Sequence, residues 1–226
     1  MDSQAQTLAR GLKILDLLAD AGRPLTIAEI AAGLEVHRSI AYRLVRTLET
    51  AALVLRDSSG RYLPGPHLAT LARSVAPDLQ SAAPAVLQSL ADELSMTAFL
   101  VVLDRTECVT LVTVEPRHVI ASIAQRPGSR HSIFVGAPGV AIQSLLTSSE
   151  RTSMGIAEPE QPEVAIARRD GFALSHGEVI PGVSAVAAPV RGAVRAAVAV
   201  LYITAEEGEV VNAVRAAASL LDRSNR

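Results

Sequence analysis

Residues 37–49, HRSIAYRLVRTLE, decide how the first part of the chain is read. Wound as a helix, they place Ala41, Leu44, Val45 and Leu48 on one face at i, i+3, i+4, i+7. The opposite face carries Ser39, Tyr42, Arg43 and Arg46, with Arg38 at the entrance. Arginine keeps its charge and offers a planar fork of donors, which suits phosphates and base edges. The plainer alternative is a solvated helix whose arginines are there by chance, and this stretch alone leaves both open.

The flanks narrow the choice. Upstream, Leu8, Leu12, Leu15 and Leu18 predict a helix over 7–21, which Gly22 ends and Pro24 keeps from resuming. Thr26 followed by Glu29 is a capping box, opening a short helix with Ile27, Ile30 and Ala31 on its buried side. Gly33 stops that helix, and Leu34, Glu35 and Val36 make a tight connection into residue 37. A short helix, a tight turn and an amphipathic helix with a polar outer face form a helix-turn-helix. Downstream, Leu53–Leu55 and Arg61–Leu63 flank the turn Asp57-Ser58-Ser59-Gly60. A hairpin directly after a recognition helix is a wing, and it puts Arg56 and Arg61 where the duplex backbone would pass.

Pro64-Gly65-Pro66 marks a boundary, and His67–Val75 reads as a linking helix before Pro77. The expected organisation is a winged helix-turn-helix over 1–65, a linker helix over 66–77 and a second domain over 78–226. In that second domain helices are expected over 79–94, over 140–146, across most of 150–170 with breaks at Pro159 and Pro162, and over 207–222. Strands are expected over 97–103, 108–114, 119–125, 172–174, 185–190 and 194–203, with 128–139 as a loop. The fold class is therefore an all-α, winged-helix N-terminal domain followed by an α+β domain with an antiparallel sheet.

Composition bounds the function. With 49% apolar residues in 226, the chain is a folded globular protein, and no apolar run reaches the ~18–20 residues of a membrane span. The start, MDSQAQTLARGL, lacks the pattern of a secretory signal, so a cytoplasmic protein without membrane partners is expected. The single cysteine, Cys108, allows no intramolecular disulfide and reads as an inert residue of an apolar strand. Residues 1–76 hold nine Lys and Arg against seven Asp and Glu, whereas the remainder is net −4. That asymmetry favours nucleic acid at the N-terminal end. Aromatics at 3% argue against stacking on single strands, which leaves duplex DNA. His37, His67, His118, His131 and His176 have no metal-ligand spacing, and neither a nucleophile motif nor a phosphate-cradling glycine loop is present. An enzyme, a bound metal and a cofactor are therefore not expected.

Three stretches together carry a family resemblance. GLKILDLLADAGRPLTIAEIAAGLEVHRSIAYRLVRTLETAALVLRD, GSRHSIFVGAPGVAIQSLL and RRDGFALSHGEVIPGVSAVAAPV resemble, over nearly the full length, the IclR-type transcriptional regulators. The resemblance implies a GAF-like C-terminal sensor that binds a small-molecule effector. It also implies a homodimer, in some members a dimer of dimers, on palindromic double-stranded operator DNA, and a repressor is the expected mode. The implied DNA contacts are Arg38, Ser39, Tyr42, Arg43 and Arg46. The chain departs from the pattern at His37, where serine or proline is usual, and at Ile40, where threonine or serine is common. Ile40 either edges the core or touches a thymine methyl.

Gly136-Ala137-Pro138-Gly139 opens a helix with glycines that let a ligand approach and amides that suit a carboxylate. An ordinary helix start is the alternative. The implied effector positions are Ile120, Ile123, Gly136, Ala137, Gly139, Ser175, Ala185, Ala199 and Leu201. Relatives that sense small polar acids carry hydroxyls or a thiol late in the sheet, where this chain has alanine and leucine. A more apolar, carboxylate-bearing effector is therefore expected. Glu178 reads as a structural hydrogen-bonding residue, and Arg126 and Arg130 as loop arginines able to steer an anion. The competing readings are a sensor that has lost its effector and a winged helix that serves protein contacts.

Overall fold

Short-range signals build the first helices. The computed structural model describes residues 5–118, 123–156 and 160–225, which divide into two units, 1–75 and 76–226. In the first, α1 (Gln6–Ala21) buries Ile14 and Leu18, and Gly22 closes it at φ 59° with its N–H donated to the Ala19 carbonyl. The capping box then opens α2 (Ile27–Gly33): Thr26 N–H donates to Glu29 Oε2 at 2.8 Å, and Glu29 N–H to Thr26 Oγ1 at 3.3 Å. The Thr26 N–H foremost, then the Thr26 hydroxyl and Arg23, donate to the Glu29 carboxylate and hold its pKa at about 2. After the turn at Glu35, α3 (Arg38–Thr50) buries Ala41, Leu44, Val45 and Leu48, as the spacing requires.

Strands β1 (Val54–Arg56) and β2 (Tyr62–Pro64) pair antiparallel, with Leu55 opposite Leu63. Asp57 Oδ1 accepts the N–H groups of Ser59 and Arg61 and so shapes the turn between them. Leu25 bridges to Tyr62, so the wing is tied to the chain before α2. One core holds Ile14, Leu18, Ile30, Leu34, Val45, Val54 and Tyr62. The short α4 (His67–Ala72) follows, ending before residue 75.

The second unit opens with α5 (Pro77–Leu94), followed by β3 (Thr97–Asp104), β4 (Glu107–Val114) and β5 (Arg130–Ser132). Then come α6 (Ala137–Gln143), α7 (Ser148–Ser153), α8 (Pro162–Asp170), β6 (Ala173–His176), β7 (Ser184–Val190), β8 (Ala196–Tyr202) and α9 (Glu207–Asp222). The strands form one antiparallel sheet in the order β5-β4-β3-β8-β7-β6. Period-two alternation divides it into two faces. Along β8, Val198, Val200 and Tyr202 meet α5 and α9, whereas Ala197, Ala199 and Leu201 face α6 and α8. Alanines at 185, 187, 197 and 199 leave room for α6, of which every residue is buried.

The structure departs from the expectations in several places. Ile120 and most of the strand expected over 119–125 lie outside the described residues, and 123–125 are not strand. The expected loop at 128–139 contains β5, because Arg130–Ser132 take the free edge of β4, with Cys108 opposite His131. The same stretch supplies the start of α6, since Pro138 fits a first helical turn where no N–H is required. The helical stretch 150–170 is two helices, with Pro162 beginning the second.

Candidate functional site

The face of α3 away from its buried stripe is open. Arg38, Ser39, Tyr42, Arg43 and Arg46 are all exposed, while the helix is anchored through Leu44, Val45 and Leu48. His37 caps the helix, its Nδ1 accepting Ser39 N–H at 3.4 Å and lying 2.9 Å from Ser39 Oγ. Tyr42, one turn before Arg46 on the same face, raises the Arg46 guanidinium pKa. Thr47 and Thr50 donate their hydroxyls back to the carbonyls of Arg43 and Arg46.

Ile40 is half-buried and packs on the core, and it also edges a groove with Thr7, Arg10, Arg43, Leu44 and Thr47. Arg10 is a cation that the sequence reading missed. It stands on α1, and only the packing of α1 on α3 brings it beside Arg43. In the wing, Arg56 is held against its own hairpin: its Nε donates to the Gly60 carbonyl at 3.3 Å, and its guanidinium lies 5.8 Å from the Tyr62 ring centroid. Arg61 is exposed, with its backbone N–H on Asp57.

In the second unit, a cavity of about 40 Å³ lies on the α6 side of the sheet. That is room for on the order of three waters. Of the expected positions, Ser175, Ala185 and Leu201 line it. Ala199 is fully buried in the layer that packs under α6. Ile123 does not line the cavity; it edges a separate shallow groove with Leu94, Met96 and Tyr202, and its carbonyl accepts Thr97 Oγ1 at 2.7 Å. The 136–139 segment contributes Pro138 alone. Gly139 packs against backbone, where an added Cβ would meet the Ile133 oxygen at 2.3 Å, and its N–H donates to the Gly136 carbonyl. Gly136, at φ 84°, gives its N–H to Glu178 Oε2 at 2.8 Å. Of the amides the sequence offers to an effector carboxylate, that of Gly136 thus already holds one of the protein's own.

Sequence reading missed most of the wall: Phe99, Gln125, His131, Val179, Ile180 and Val183. Gln125 Nε2 donates to Thr110 Oγ1 at 2.7 Å. His131 Nε2 is buried without a hydrogen-bond partner, and burial lowers the imidazole pKa. The alternation of β5 on β4 was the signal that would have found His131, and three residues are too few to show it. Burial pushes the Cys108 thiol up to about 12, so it is a packing residue rather than a nucleophile. Among the described residues no group of three or more His, Cys, Asp or Glu is placed to hold a metal ion, and no helix is long and apolar enough to cross a membrane.

Comparison with known proteins agrees with both halves of this geometry. Residues 7–58 match the family described as the IclR helix-turn-helix domain, and residues 74–223 match the bacterial transcriptional regulator IclR C-terminal family. The chain is 29% identical over 201 residues to a probable transcriptional regulator, SauR, of Cupriavidus necator, covering 80% of this chain and 78% of that one. An IclR transcriptional regulator from Alicyclobacillus acidocaldarius superposes with TM-score 0.82 at 28% identity, covering 99% of this chain and 100% of the other. An IclR homologue from Microbacterium hydrocarbonoxydans, solved with 4-hydroxybenzoate bound, shares the fold with TM-score 0.83 at 20% identity, covering 97% and 99%. With a helix-turn-helix in the first unit, an α+β domain with an antiparallel sheet in the second and family matches across both, the chain belongs to the IclR family of DNA-binding transcriptional regulators.

Proposed function

We propose that this chain is a sequence-specific repressor that binds palindromic duplex DNA as a homodimer. In this reading a small, largely apolar metabolite in the C-terminal cavity changes its operator affinity. The exposed face of α3 carries it: Arg38, Ser39, Tyr42, Arg43 and Arg46 project from a helix whose other side is sealed in the core. Arg10 and the wing's Arg61 extend the basic surface, and Arg56 supports the wing from within. The metabolite would lie against Ser175, Ala185 and Leu201, with Ala199 beneath and Gly136, Ala137 and Gly139 forming the helix start at its edge. Its polar end is not placed on Gly136, whose N–H serves Glu178.

Fluorescence anisotropy with the chain's own upstream region against random duplexes tests this. Preference for the former, falling steeply as salt rises, is the expected result. Equal affinity for all sequences at every salt concentration would refute it. The narrowness of the cavity favours one second reading, a regulator whose sensor works without an effector. In that case no small molecule shifts the anisotropy curve.

A further inference from the structure

The cavity wall has a charge pattern that bears on what enters it. Phe99, Pro138, Val179, Val183 and Leu201 make it mainly apolar, and Gln125, His131 and Ser175 are its polar residues. Among the described residues, no Lys, Arg, Asp or Glu lines it. Arg130, on the same strand as His131, is committed to Asp104 and Glu107 on the outside of the sheet, and Arg126 is exposed. Next in the chain to the lining residue Val179 is the exposed Glu178, whose carboxylate accepts Gly136 N–H. Val179 itself lies so close over Gly136 that a Cβ there would meet its Cγ2 at 2.8 Å.

A carboxylate ligand entering this space would give up hydration, find no cation among the described lining residues, and meet a Gly136 amide already held by Glu178. An unpaired buried charge is among the costliest groups a protein can hold. A neutral hydroxyl meets the opposite situation. His131 Nε2 lacks a partner, and a hydroxyl can donate to it or accept from it, so either imidazole tautomer is satisfied. We infer that the cavity selects an uncharged, mainly apolar ligand bearing one hydroxyl, held at His131 Nε2, and discriminates against the corresponding carboxylate. This rests on the reading of the cavity as the effector site. Glu178 then sets specificity as well as structure: it satisfies the Gly136 amide and denies it to an anion.

Matched probes test it on the full chain. Calorimetry with ethanol against acetate, and propanol against propionate, probes small enough for this space, is expected to show each alcohol binding about tenfold or more tightly than its acid. Glu178→Gln keeps an acceptor for Gly136 N–H and removes the charge, and it should narrow that gap by about tenfold. His131→Leu should weaken the alcohols by about tenfold, with a thermal melt confirming that the variant folds. Acids binding as well as the alcohols, an unchanged gap in Glu178→Gln, or no binding of any probe would each overturn the inference. Anisotropy on the same preparations reads DNA binding separately. Retained operator preference alongside any of those results overturns the ligand class and leaves the regulator standing.

Discussion

His37 Nδ1 lies 2.9 Å from Ser39 Oγ and accepts the Ser39 N–H at 3.4 Å, so an imidazole closes the start of the recognition helix. The pair orders one candidate DNA contact before DNA arrives. Replacing His37 with alanine removes the cap and should cost about 0.5–1 kcal/mol. For a unit of this size that is a fall of roughly 2–8 °C in melting midpoint. His37→Asn, a strong cap, should restore it. Scanning calorimetry of the three proteins decides, and equal midpoints would show that the contact is incidental.

Arg43 projects beside Arg10 at the groove between α1 and α3. Arg43→Ala should weaken operator binding by about 1–3 kcal/mol and relax base preference at one position if the guanidinium forks onto a guanine. A uniform loss across sequences, with the salt slope reduced by about one, would instead mark it as a phosphate anchor. Anisotropy on a set of single-base operator variants separates the two.

The turn between β7 and β8 depends on Gly192. Its φ is 143°, and a Cβ there would sit 1.5 Å from the Asn225 carbonyl oxygen. That same oxygen accepts Ala193 N–H at 2.9 Å, while the Asn225 side chain accepts Val194 N–H and donates to the Val194 carbonyl. Gly192→Ala therefore breaks the staple that fastens the end of α9 to the sheet. The loss should be on the order of 3 kcal/mol. Roughly 6–12 °C in the C-terminal transition follows for a unit of this length. A melting curve that does not move would mean the turn relaxes freely.

His131 supplies a pH signature. Burial lowers its pKa in the folded state below the ordinary 6.5, so folding favours the neutral ring. The unfolded chain then takes up the proton first as pH falls. The associated stability is full above about pH 6.5 and is lost on acidification through the lowered folded value. Between pH 7 and 5 the C-terminal transition should fall more steeply in the native chain than in His131→Leu. Parallel slopes in calorimetry would contradict this.

The N-terminal unit was legible because its instructions are local. Thr26 and Glu29 are three positions apart, the buried stripe of α3 repeats every three or four, and Gly22 and Pro24 stand where the first helix must stop. Each of these interactions closes within one or two turns, so neighbouring residues alone state them. The long strands β3, β4, β7 and β8 and the last helix were readable for the same reason, from apolar runs and periodicity. Arg130–Ser132 carry no such pattern and become a strand only because β4 presents an open edge. Arg10 reaches Arg43 only through helix packing. The cavity belongs mostly to the second kind: Ser175, Ala185 and Leu201 were expected from the resemblance, but it joins β3, β5, β6, β7, β8 and the 177–183 turn, and the hydrogen bond that occupies the Gly136 amide spans 42 positions, to Glu178. Sequence by itself determined that this chain has a helix-turn-helix with a basic outer face and an α+β domain with an antiparallel sheet. Tertiary structure decided which side chains face the cavity and whether its amides are free, because sheet register and loop closure are settled by partners far away in the chain.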